Sequence, residues 1–278
     1  MRTSLLNKSL TAALIVAHLA LVSCDKNPTE SEPGNPPQLP PKESMAIDLS
    51  LFTNSQGAAK AGEMQVAGAN FNNAAFRVLV INTVVAASLL VPVAVFAVAA
   101  SQTPTFGADG KFHWIYSVQH GGQTFEADLA GWLDVPAGQS VWEMYISSPT
   151  HQPPLNKFLW YSGRANFDAT SGYWEFFDDN TPTAGVKVLR IDWQVAAEDN
   201  ATLNFRVVKP NVPETGDELT YLVAGAGRTI TAFDQSANTT LEITWDAQTG
   251  AGYLIAPDYN NGEKACWDAN RDDVACTN

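Results

Sequence analysis

The chain has 278 residues, 16 Lys+Arg against 29 Asp+Glu, and a formal net charge of −13. Hydrophobic residues at 45% and charged residues at 16% exclude an intrinsically disordered chain, which is apolar-poor and charge-rich. The acidic balance offers phosphate no basic face, so nucleic acid is not an expected partner; the length suffices for one large domain or two small ones.

At the start of the chain, Arg2 and Lys8 precede an apolar run from Leu10 to Val22, broken by Thr11 and His18. This is the pattern of a signal peptide over residues 1–23, with an apolar stretch too short for a comfortable membrane span. It ends in Leu21-Val22-Ser23-Cys24: an aliphatic residue, a spacer, a small residue and a cysteine. That tetrad resembles the lipobox of bacterial lipoproteins. The resemblance implies cleavage before Cys24 and acylation of Cys24, palmitate included. It also implies a lipid-anchored protein of the bacterial cell envelope, outside the cytoplasm, at the outer membrane or the cell surface. The membrane is then a partner through the acyl chains, several of which are needed because each buried methylene contributes only about 0.8 kcal/mol. Loss of Arg2 and Lys8 takes the charge from −13 to −15.

Residues 24–44 read as a tether. Six prolines (Pro28, Pro33, Pro36, Pro37, Pro40 and Pro41) stand among Asn, Glu and Ser, with Leu39 the single large apolar residue of Asp25 to Ser44. This composition favours extended, unpacked chain. At about 3.1 Å per residue it reaches roughly 60 Å at most. The remainder, 45–278, is expected to be one β-rich domain.

Val78 to Ala100 carries no charge over 23 residues and has only Asn82, Thr83 and Ser88 as polar interruptions. Its length and apolarity qualify it as a transmembrane candidate. Topology argues the other way. A crossing here would return the rest of the chain to the cytoplasm, yet Cys266 and Cys276 have the look of a disulfide. No cluster of Lys or Arg follows the run, since Lys111 is the next positive residue. The expectation is therefore one long apolar helix at about 63–100, buried all round, with Pro92 as a kink.

From Phe112 onward the pattern changes to period two. Candidate strands lie at 112–118, 125–129, 141–147, 158–163, 173–177, 186–195, 203–208, 218–223, 229–234, 240–245 and 252–256. The clearest is Lys187-x-Leu189-x-Ile191-x-Trp193-x-Val195. Three segments place Asp before Gly between aromatic strands: Asp109-Gly110, Asp168 to Gly172, and Asp246 to Gly250. Asp bonds its following backbone and Gly supplies positive φ, so these read as hairpin turns. All eight Trp lie between Trp114 and Trp267, a density expected of a core, with a ligand-stacking surface as the alternative. The fold class expected is mainly β: an antiparallel up-and-down meander of about eleven strands, barrel-like or sandwich, packed on or around the helix.

The C-terminal loop runs from Cys266 to Cys276, a natural short disulfide loop in an exported protein. Inside it Asp268, Asn270 and Asp272 alternate. The alternation resembles the first half of an EF-hand-type or thrombospondin-type calcium loop, which implies calcium as a candidate cofactor on those three residues. The match is partial. Asp273 stands where the loop glycine belongs, and the twelfth position lies beyond residue 278.

Catalytic signals are thin. The chain has no Gly-x-Ser-x-Gly, P-loop, His-Glu-x-x-His or Cys-x-x-Cys motif. Glu143 and Glu175 stand within aromatic strands, where a glycosidase keeps its two carboxylates. Three functions remain open. The first is a non-enzymatic, lipid-anchored binding or scaffold domain. The second is a carrier or sensor of an apolar ligand, with aromatics lining a cavity. The third is a carbohydrate-active hydrolase using Glu143 and Glu175.

Overall fold

A computed structural model describes residues 34–53, 67–120 and 122–277. The signal peptide and Cys24 lie outside the described residues, and so do positions 63–66 of the expected helix. One compact unit spans Asn35–Asn278. It holds a short 3-10 turn at Lys42–Ser44 and a helix, α1, at Ala69–Ala99. Fourteen strands follow among the described residues: β1 (Thr105–Phe106), β2 (Phe112–His120), β3 (Gln123–Asp134), β4 (Gln139–Ser148), β5 (Leu155–Asn166), β6 (Ser171–Phe177) and β7 (Lys187–Ala197). The series continues with β8 (Asn200–Val207), β9 (Glu218–Ala224), β10 (Gly227–Asp234), β11 (Thr239–Asp246), β12 (Gly252–Ile255), β13 (Ala265–Trp267) and β14 (Asp273–Val274).

All fourteen form one sheet in sequence order, each antiparallel to the next. The up-and-down meander is therefore present, but the eleven expected strands are β2–β12 and three more flank them. These three are two or three residues long, too short for alternation to mark. The sheet is neither a barrel nor a sandwich: β1 and β14 do not pair with each other. Both free edges are only two residues long, which limits edge-to-edge pairing with other chains.

The inner face follows the alternation. In β7, Leu189, Ile191, Trp193 and Val195 are buried, and seven of the eight Trp are in the core. One cross-strand row explains how so many indoles fit. It runs Phe112, Gly131, Trp142, Gly163, Trp174, Ile191, Phe205, Leu219, Ala232, Leu241. Trp and Gly alternate over β3–β6, so each ring lies on a neighbouring glycine. A Cβ at Gly131 would stand 2.5 Å from the Trp142 ring, and one at Gly163 would stand 2.4 Å from Trp174. Glycine here makes room for an aromatic neighbour rather than a turn.

The helix touches β2 and β3 near one edge and β12, β13 and β14 near the other, so the sheet curves round it without closing. Phe71 and Phe96 pack edge-on against Trp267 and Trp174, and the Tyr116 hydroxyl donates to the Val95 carbonyl at 2.6 Å. The expectation of a helix apolar and buried all round is corrected. Its first turns carry Asn70, Asn72, Asn73 and Arg77, and Phe76 and Val80 remain 64% and 50% exposed. An open sheet leaves one flank of the helix uncovered. Among the described residues, no helix is long and apolar enough to cross a membrane.

The C-terminal loop caps this helix. The Asp273 carboxylate accepts the free N–H groups of Ala69 and Asn70 at 3.0 and 2.8 Å, and Gly68 donates to the Arg271 carbonyl. A Cβ at Gly68 would fall 2.3 Å from Asp273. At the other end of the domain's sequence, residues 35–44, read as tether, pack on the sheet. Pro37 and Pro40 are buried, Leu39 meets the core, and Ser44 Oγ accepts the Trp174 indole N–H at 3.0 Å.

Candidate functional site

The Phe112-to-Leu241 row changes character halfway. Over β3–β6 it is filled by indoles. Over β8–β11 it holds Phe205, Leu219, Ala232 and Leu241, with no Trp among them. Beside these smaller side chains a cavity of about 900 Å³ opens between α1 and strands β5–β11. Its wall is apolar: Val80, Ile81, Val91 and Pro92 from the helix face Trp160, Phe176, Leu189, Phe205 and Leu219 from the sheet. The volume lies within the range of small-molecule sites, which are apolar with a few placed polar groups.

The polar groups gather at the mouth, formed by the β6–β7, β8–β9, β10–β11 and β12–β13 connections. Among the described residues, seven carboxylates (Asp178, Asp179, Glu214, Asp217, Glu218, Asp234 and Asp258) line it against two cations, Arg77 and Lys209. Both cations are committed. Lys209 Nζ lies 2.9 Å from buried Asp178, which also accepts from the Asn180 N–H and the Thr181 hydroxyl at 3.1 Å each. Burial opposes the Asp178 charge, but these bonds outweigh it and hold the carboxyl below its ordinary range. Arg77 donates to Asp258 at 2.8 Å and lowers that carboxyl too. Glu218 pairs with Arg206.

Asp217 and Asp234 differ. Asp217 stands half-buried in the turn before β9, and Asp234 is exposed at the end of β10. Asp217 accepts the Gln235 N–H at 2.9 Å, and Asp234 accepts the Ala237 N–H at 2.8 Å and the Ser236 hydroxyl at 2.7 Å. Those two donors hold the Asp234 carboxyl below its ordinary range. Among the described residues, no Lys or Arg lies within 4.0 Å of Asp217, Asp234 or Glu214.

The residues singled out by sequence sit elsewhere. Glu143 and Glu175 face outward from β4 and β6, in one row with Ser162 between them, so two strand spacings of about 4.8 Å separate their backbones. Glu143 is held by Lys111 at 2.9 Å and by the Tyr145 hydroxyl at 3.1 Å, and Glu175 by Lys187 at 2.8 Å. Neither lines the cavity. Cys266 and Cys276 are disulfide-bonded with Cα atoms 5.3 Å apart. Asp268 Oδ1 accepts the N–H groups of Asn270 and Asp272 at 2.9 and 3.0 Å, which gives the alternating loop a structural use as an Asx turn. Among the described residues, no three His, Cys, Asp or Glu side chains group as a metal site. His113 on the outer face of β2 is held between Asp128 at 2.8 Å and Asp109 at 3.1 Å.

The sequence offered an aromatic-lined cavity as one alternative but not its place, because an absence of bulk on one side of a row appears only once register is known. No protein-family model, no curated protein and no solved structure matches the chain.

Proposed function

We propose that the protein is a non-enzymatic carrier or sensor of an apolar ligand, held at the outside of the bacterial cell envelope by acyl chains on Cys24. One observation carries the ligand reading: the 900 Å³ cavity with an apolar wall between α1 and β5–β11. The space is open to solvent at one end and apolar along its wall, as small-molecule sites are. The disulfide supports a location outside the cytoplasm, and the Leu21-Val22-Ser23-Cys24 tetrad supports the anchor.

The test of the ligand reading is titration with N-phenyl-1-naphthylamine, a neutral apolar dye that brightens in dry pockets. Saturable binding is expected, and Ala232→Trp, which places an indole in the cavity, is expected to weaken it at least tenfold. No saturable binding by the unmodified protein sinks the ligand reading. The anchor is tested separately: intact-mass analysis after Cys24→Ser is expected to show loss of the acyl mass, and an unmodified N-terminus downstream of residue 24 in the parent protein refutes it.

A further inference from the structure

We propose that the cavity takes a cationic amphiphile, its chain between α1 and the sheet and its charged headgroup between Asp217 and Asp234. The inference rests on the cavity being a ligand site and adds the class of ligand. Three observations lead to it. The wall is apolar and the charge lies only at the mouth, so a ligand that satisfies both has a greasy body and a polar end. Both cations that line the mouth among the described residues are already spent, on Asp178 and Asp258, so those residues offer an anionic headgroup no partner. Asp217 and Asp234, in contrast, stand at the β8–β9 and β10–β11 connections, where they accept backbone N–H groups and the Ser236 hydroxyl. Among the described residues no Lys or Arg lies within 4.0 Å of Asp217, Asp234 or Glu214, so the rim keeps uncompensated negative charge beside the apolar wall.

The experiment uses the mature chain carrying Cys24→Ser, loaded with N-phenyl-1-naphthylamine. Three amphiphiles of equal chain length compete for the site below their micelle concentrations: dodecyltrimethylammonium, dodecyl maltoside and dodecyl sulfate. The trimethylammonium compound is expected to displace the dye at a concentration at least about tenfold below the sulfate, as two or three carboxylates within several Å provide at high dielectric. The preference is expected to shrink in 0.5 M salt. Neutralising the mouth with Glu214→Gln, Asp217→Asn and Asp234→Asn is expected to erase it. A charge-matched set at the opposite end of the meander, Asp168→Asn, Glu198→Gln and Asp199→Asn, is expected to keep it. Equal displacement by all three amphiphiles, or preference for the sulfate, overturns the headgroup assignment while leaving the ligand site standing. Loss of preference in the opposite-end set as well also overturns it, since the net charge of the protein is then responsible. Failure of the dye to bind at all is the separate failure of the cavity reading.

Discussion

A methyl group at position 163 has no space to occupy. It would stand 2.4 Å from both the Trp174 ring and the Tyr173 carbonyl, and the carbonyl belongs to the sheet and cannot yield. Gly163→Ala is expected to cost about 1–3 kcal/mol by chemical denaturation, as overpacking does, whereas Gly34→Ala, with nothing within 4 Å, is expected to be neutral. His113 supplies a second residue-level expectation. Partial burial pulls its pKa down, but the bonds to Asp128 and Asp109 outweigh burial and leave it raised. A raised histidine stabilises the fold fully below its unfolded value of about 6.5, and that contribution disappears as pH rises through the folded value. His113→Gln is therefore expected to lower the melting temperature at pH 5.5 and to do so much less at pH 9. An equal loss at both values contradicts the ion-pair reading.

At the scale of elements, the helix and the C-terminal loop depend on each other. Asp273 caps α1, and the Cys266–Cys276 bond holds the segment that carries Asp273. Asp273→Ala is expected to cost about 1 kcal/mol, in the range of lost caps. Replacing both cysteines with Ser is expected to cost about 2 kcal/mol, as for a short closed loop. The two losses share one segment and are not expected to add: once the loop is free, it no longer delivers the cap, so Asp273→Ala costs less in the cysteine-free protein. Full additivity in a double-mutant cycle would show that the bond does not position the cap.

For the molecule as a whole, the core begins well before the first strand. Met45, Leu49 and Phe52 are buried, and Phe52 packs on Phe71 and Trp245. A chain starting at Asn35 is expected to melt with the midpoint of the longer one. A chain starting at Thr53 loses three buried side chains, worth about 2–5 kcal/mol each. At about 2–4 °C per kcal/mol for a domain of this size, its midpoint is expected to fall by more than about 10 °C. Equal midpoints would show that this segment only lies on the surface.

Alternation by itself determined the strands. Hydrophobic burial acts on every second residue of a strand, so β2–β12 could be read locally, and the core role of the Trp-rich stretches followed from their phase. The Asp-Gly turns were legible for the same local reason: Gly110 and Gly250 take positive φ, and Asp246 accepts the N–H groups of Gln248 and Thr249. The third turn departs from the pattern. There Ala169 takes the positive φ, and Gly172 is instead pressed against the Arg164 carbonyl and the Trp193 ring, a contact 21 residues along the chain. What only the tertiary structure decided is of that second kind. Whether the sheet closes depends on the meeting of β1 and β14, which alternation does not encode. The uncovered flank of α1 follows from that failure to close. The cavity depends on which residues share a row across ten strands, and the charge at its mouth depends on four connections brought together by the meander. These are relations between distant residues, and they exist only once register and curvature are set.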